Sequence, residues 1–379
     1  MNTREKSLFR KRLIQWYQAH KRPLPWRNTK DPYAIWISEI MLQQTQVTTV
    51  IDYYHRFLER FPTVEALANA SLDQVMKAWE GLGYYARARN LHKAAQEIMH
   101  RFHGKMPDTL EGLLSLPGMG KSTAGAVLSL GYEKPAAILD GNVIRVFARI
   151  FRITENVQHA HVVKLLWEIA ENLLPSNNVR MYNEALMELG ATVCKPQNPL
   201  CDQCPVSSFC EAFRYSVQHE LPVKSPRRPI PHFHVTAGII WKENRFLITQ
   251  RPPKGLLGGL WEFPGGKQEK GETLSECLLR EIREELNLEI EIIRHLASVN
   301  HAYTHFKITL HVFKCKYKSG KLRLCGCVDA KWIQAEEIEN YAFPGADRKI
   351  IEKLKNGLFC TTTTDQIKKN FYRNKKKNP

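Results

Sequence analysis

This 379-residue chain contains no uninterrupted apolar run of the ~18 residues that a helix needs to cross a bilayer. Its opening, MNTREKSLFRKRLIQWYQAH, also lacks the apolar core of a signal peptide. Leu8, Phe9, Leu13, Ile14, Trp16 and Tyr17 recur there at helical spacing instead, so the segment reads as the first helix of a fold. No membrane contact and a cytoplasmic location are therefore expected. Acidic residues are also in short supply. There are 38 Asp and Glu against 55 Lys and Arg, a formal charge of +17. That excess points to an acidic partner, nucleic acid first, with a merely solvated basic surface as the plain alternative.

Strand-like alternation is missing from residues 5 to 215, where helical apolar patterns alternate with short polar breaks. TVEALANASLDQVMKAWEGLG is typical, with Ala66, Leu67, Val75, Met76 and Trp79 on one face. LPVKSPRRPIPHF follows at 221–233, and its four prolines make a semi-stiff linker. Beyond it the rhythm changes. HVTAGIIWKENRFLITQR reads as two strands around a turn, and HFKITLHVFKCKY as another. The length also suits two cores rather than one. The expected layout is an all-α domain (1–220), the linker (221–233), an α+β domain (234–360) and a basic, disordered tail (361–379).

Disulfides are not expected in this compartment, yet nine cysteines occur, and four of them crowd together. Cys194, Cys201, Cys204 and Cys210 are separated by six, two and five residues. Such a cluster points to metal, and spacing alone leaves zinc and an iron–sulfur centre both open. Upstream, LLSLPGMGKSTAGAVLSL sets Gly118 and Gly120 between two helical runs, a hairpin whose backbone N–H groups suit one phosphate of a nucleic-acid backbone. A nucleotide-binding P-loop does not fit, because its preceding strand and glycine spacing are missing. Asp140 follows the apolar run AIL, where an aspartate is most often a helix cap. Glu39 stands inside the apolar helix WISEIMLQQTQV, where a lone glutamate usually sits at the solvent edge.

Taken in order, Trp26-Arg27, SEIMLQQTQV, GLGYYARARNL, LPGMGKSTA, LDGNV and the cysteine run resemble the helix-hairpin-helix DNA glycosylases, most closely the MutY-type adenine glycosylases. The resemblance implies a four-iron, four-sulfur cluster on the four cysteines. It implies that Glu39 protonates the adenine and that Asp140, oriented by Asn142, stabilises the sugar cation. Trp26, Arg27 and Glu184 match positions lining the pocket of an extruded adenine. Gln43, Gln44 and Tyr84 match residues at the DNA stack, and Gly118, Gly120, Lys121 and Ser122 form the DNA-binding hairpin. In lyase-capable relatives a lysine stands where this chain has Ser122. Serine forms no imine with the sugar, so base removal without strand cleavage is expected.

GGKQEKGETLSECLLREIREELNL, 265–288, raises a second activity. Glu281, Glu284 and Glu285 fall at i, i+3 and i+4, on one helical face suited to Mg2+. With Gly266, Glu272, Arg280, Ile282 and Leu288 they resemble the Nudix hydrolases; Asn287 replaces the usual glycine and tolerates a left-handed helix end. In the adenine glycosylases this domain reads 8-oxoguanine, and NHAYTHF brings Tyr303, Thr304 and His305 to the matching loop. The expectation is a monomeric, monofunctional adenine glycosylase of the bacterial cytoplasm, at the nucleoid when engaged on DNA. Its substrate is duplex DNA with adenine opposite 8-oxoguanine or guanine. Rivals are a glycosylase with added 8-oxo-dGTP pyrophosphatase activity, a glycosylase-lyase and a non-catalytic lesion binder.

Overall fold

Capping chemistry starts many of the helices. Asn2 and Glu5 form a capping box at the head of Thr3–His20, Asp31 caps Pro32–Leu42 with proline at the first helical position, and Thr63 caps Val64–Asn69. The computed structural model describes residues 1–226 and 229–355; the basic tail and Cys360 lie outside the described residues. The chain divides into two compact units. One holds Met1–Ala78 with residues 87–226, the other Trp79–Ala86 with residues 229–355.

The first unit is helical throughout its described residues. Phe9, Leu13 and Tyr17 of the first helix join Phe147, Leu166, Tyr182 and Leu189 in a common core. Leu8 is left 42% exposed, so the apolar stripe of that helix is narrower than the sequence pattern suggests. TVEALANASLDQVMKAWEGLG divides into two helices, Val64–Asn69 and Leu72–Trp79. Lys121–Ala126 runs on into a wider π turn, Val127–Gly131.

The second unit is a mixed sheet between helices. Its strands are β1 (His232–Lys242), β2 (Arg245–Gln250), β3 (Trp261–Glu262), β4 (Glu289–Ala302), β5 (Lys307–Ser319) and β6 (Asp329–Ile333). β1 pairs parallel with β5, and β4 pairs antiparallel with β5. β2 runs antiparallel to β1, β3 and β6. Ile239, Phe246, Ile248 and Leu310 pack one face against Ile350 and Ile351 of the helix Gly345–Lys355. Ile240, Leu247, Phe313 and Cys315 pack the other against Leu278, Ile282 and Leu286 of the helix Leu274–Leu286. That helix opens with a Thr273–Glu276 capping box and closes on Asn287 at φ +54°, the left-handed end expected of asparagine there. Among the described residues no helix is long and apolar enough to cross a membrane.

Candidate active site

The helix Pro32–Leu42 is buried on most of its surface, yet Glu39 in its last turn is only half-buried, because its side chain lines a cleft of the first unit. Asp140, Asn142, Trp26, Arg27 and Glu184 line the same cleft. Asp140 reaches it as the N-cap of Gly141–Ile150. One carboxylate oxygen accepts from Asn142 N at 3.0 Å and Val143 N at 2.7 Å, and the other from Asn142 Nδ2 at 3.0 Å. Capping and facing the cleft are therefore one arrangement: the cap geometry aims the carboxylate. Gly190 makes room for Asn142, since a Cβ there would stand 2.6 Å from Asn142 Cβ.

Electrostatics separate the two acids. Burial pushes Glu39 up to about 8, and the negative charges of Asp140 and Glu184 push the same way. Asp140 is raised too, mainly by burial, against the pull of its three N–H donors and Arg145. Asp140 has N–H donors that favour its charged form and Glu39 lacks that set, so a proton in the cleft sits better on Glu39. A protonated acid and a hydrogen-bonded carboxylate in one cleft can protonate a leaving group and stabilise a developing cation.

Several residues of this site escape a reading by sequence. Glu188 is fully buried and holds Arg22 through three hydrogen bonds and Arg27 Nη2 at 2.7 Å. These partners pull its carboxyl down to about 2 against the cost of burial. Its spacing of four from Glu184 on one helix is the signal that could have found it. Glu184 accepts from Tyr17 Oη at 2.8 Å and Arg180 Nε at 3.2 Å, and Arg180 also donates to the carbonyl of Leu130 in the π turn. Arg145 donates to Asn142 Oδ1 at 2.8 Å and to the Cys194 carbonyl at 2.7 Å, linking the support of Asp140 to the cysteine loop.

The hairpin forms between Leu110–Leu114 and Lys121–Ala126. Gly118 takes φ +76°, and a Cβ there would meet Asn90 at 2.8 Å; at Gly120 the space is open. Ser122 Oγ accepts from Leu139 N at 3.3 Å, just before Asp140. Lys121 turns elsewhere, to Glu171 at 2.8 Å and the face of Trp167. Gln43 ends its helix and donates to Thr123 Oγ1, and Gln44 follows at φ +58°. Tyr84, at φ +48°, belongs to the second unit, where its hydroxyl lies 2.8 Å from Thr304 Oγ1. Thr304 and His305 are exposed. Tyr303 of the same loop packs against Phe306 and His301.

Cys194, Cys201, Cys204 and Cys210 line one apolar cavity, and Arg149 Nη1 donates to Cys194 Sγ at 3.3 Å. Among the described residues no three His, Cys, Asp or Glu side chains are drawn together tightly enough to hold a metal ion. The glutamate helix is less uniform than its spacing suggests. Arg280 bridges Glu272 at 2.8 Å, Glu281 at 3.1 Å and Glu284 at 3.1 Å. Glu285 is pushed up to about 7 by burial and by Glu262, Glu281 and Glu284. A Cβ at Gly266 would overlap the Glu281 carboxylate and displace that side chain.

Residues 37–172 match the HhH-GPD superfamily of base excision DNA repair proteins, 194–210 the iron–sulfur binding domain of endonuclease III, and 236–353 the NUDIX domain. The adenine DNA glycosylase of Rattus norvegicus is 35% identical over 90% of this chain and 77% of its own length. That of Buchnera aphidicola subsp. Acyrthosiphon pisum is 31% identical over 93% of this chain and 99% of its own. The structure of a thermostable thymine-DNA glycosylase superposes with TM-score 0.52 at 31% identity, covering 56% of this chain and 98% of that one.

Proposed function

This chain belongs to the adenine DNA glycosylase family, acts on DNA in base excision repair and carries an iron–sulfur cluster; on that premise we propose that it removes adenine opposite 8-oxoguanine or guanine by a two-carboxylate mechanism. The observation that carries the reading is the pairing of Glu39, held protonated, with Asp140, held by three N–H donors, in one cleft.

An adenine inside a duplex is out of reach, so it is extruded into the cleft beside Trp26, Arg27 and Glu184. Glu39 gives its proton to the adenine ring as the bond to the sugar weakens. Asp140, steadied by Asn142, faces the cationic sugar and stabilises it. Gln43, Gln44 and Tyr84 fill the stack, and the Gly118–Ser122 hairpin meets a phosphate. Ser122 leaves the sugar without an imine, so the product is an intact abasic strand. The protein acts as a monomer, with residues 1–220 as its catalytic domain and 234–360 as its lesion-reading domain. Thr304 and His305 of the latter read the 8-oxo group.

Four thiols around one apolar cavity fit a four-iron, four-sulfur cluster, which supplies a fixed fold for the surrounding loop. The test is single-turnover adenine release from duplexes with adenine opposite 8-oxoguanine. Glu39→Gln and Asp140→Asn are each expected to slow release by ~10²–10⁴-fold while leaving duplex affinity within about threefold. Near-normal release by either variant defeats the assignment.

One observation favours an added activity. With Arg280 moved off Glu281 and Glu284, those carboxylates and Glu285 would hold a magnesium ion, which would supply activation of a nucleotide phosphate. Turnover of 8-oxo-dGTP by the full chain, abolished in Glu284→Gln/Glu285→Gln, is the measurement.

A further inference from the structure

We propose that His234 and His311, in the second unit, chelate a divalent transition-metal ion of the zinc class. β1 and β5 run parallel with Thr236 opposite His311 and His234 opposite Thr309, so alternation puts both histidines on one sheet face. Farther along that face Ile240, Phe313 and Cys315 are covered by the helix Leu274–Leu286. At the histidines it is open: His234 is exposed and His311 half-buried.

The two rings lie nearly parallel, at 15° with centroids 5.3 Å apart, and His234 Nδ1 stands 3.0 Å from His311 Nε2. The other nitrogen of His311 is 2.8 Å from Ser298 Oγ, which in turn lies 3.0 Å from His295 Nε2. Ring tautomers are open along this relay: in one the 3.0 Å His234–His311 contact is a hydrogen bond, and in another the pair is set for metal. When His311 Nδ1–H donates to Ser298 and the Ser298 hydroxyl donates to His295, His311 Nε2 is left with a lone pair facing His234. With His234 protonated at Nε2, two lone pairs meet, and a cation between them relieves their repulsion. Two imidazoles on one tetrahedral zinc, at ~2.0–2.1 Å each, hold their nitrogens roughly 3.3 Å apart, so the pair needs only a small opening. Ser298 is then the outer partner that orients a metal-bound histidine.

None of the hydrogen bonds along this relay involves a carboxylate. His232, whose ring lies 5.3 Å from His234, donates to or accepts from Thr309 at 2.9 Å and is occupied there. With no third side chain closing a cage among the described residues, water completes the coordination.

The experiment titrates the full, cluster-loaded chain with Zn2+ by calorimetry at pH 7.5, with the zinc-induced change in Tm as a second readout. The wild-type chain should take up one zinc that is lost, or at least tenfold weaker, in His234→Ala and in His311→Ala. Ser298→Ala should weaken it by ~10-fold. Adenine release by the same variants, expected unchanged, shows that they are folded. No uptake by the wild-type chain, or unchanged uptake and Tm response in His234→Ala/His311→Ala, overturns the proposal.

Discussion

Each unit gathers carboxylates, and the two gatherings are neutralised in different ways. In the helical unit Glu39 and Asp140 share a cleft in which N–H dipoles serve only Asp140, so Glu39 keeps its proton near neutrality. In the sheet unit Arg280 threads between Glu272, Glu281 and Glu284, whereas Glu285 is pushed up to about 7 by burial and neighbouring carboxylates although Arg251 pulls the other way. Crowded carboxylates thus yield a proton donor where no cation reaches, and an ion-pair network where one does.

The largest effect that would break this contrast is in the pH dependence of adenine release. On the proposed mechanism Glu39 acts in its protonated form, so release should fall as pH rises through about 8, about tenfold per unit, while the acidic limb follows ionisation of Asp140. A single-turnover profile flat from pH 6 to pH 10 would show that Glu39 donates no proton in the rate-limiting step.

Glu188 extends the contrast, because it is an acid in the helical unit that is neutralised by cations. Glu188→Gln leaves Arg22 and Arg27 without their shared carboxylate at a buried site and should cost about 3 kcal/mol of stability. It should also raise KM more than it lowers kcat, since Arg27 lines the cleft. Thermal unfolding and steady-state kinetics check both; an unchanged Tm removes Glu188 from the account.

Glu285 offers a smaller and opposite effect. Its folded-state carboxyl lies near 7, above the ordinary value, so its stabilising contribution is complete below about 4.5 and is lost as pH rises through 7. In EDTA, Glu285→Gln should therefore stabilise the chain by on the order of 1–2 kcal/mol at pH 8.5, after allowance for solvent screening, and by nothing at pH 4.5. Adenine release should stay within about twofold. Equal stabilisation at both pH values would mean that the charge of Glu285 is already balanced.

The smallest effect belongs to Thr304. Thr304→Ala removes the hydroxyl that lies against Tyr84 and should lower the preference for 8-oxoguanine over guanine by about threefold to tenfold, on the order of 1 kcal/mol. Release rates from the two duplexes measure it, and an unchanged ratio leaves the loop without a reading role.

Local chemistry revealed the two fold types, but not that Trp79–Ala86 groups with the second unit. Helical periodicity, a proline-rich break and then alternation separate a helical region from a mixed one, because burial of one face imposes its period on the residues. Asn287 as a left-handed helix end and the turn between β1 and β2 were equally legible, since each depends on a residue or two. The candidate site was not legible in that way. By local rules Asp140 is a cap and Glu39 an edge residue; Asp140 is indeed a cap, and its function depends on which cleft that cap faces. Glu188, Arg145 and Arg180 also hold partners 161 to 166, 49 and 50 residues away, which local rules do not reveal. The sequence alone determined which segments become helix or strand, since neighbours within a turn set those choices. Tertiary structure decided which carboxylate keeps a proton, which is held by arginine and which histidines meet, because charge and desolvation act through space between residues that the chain keeps far apart.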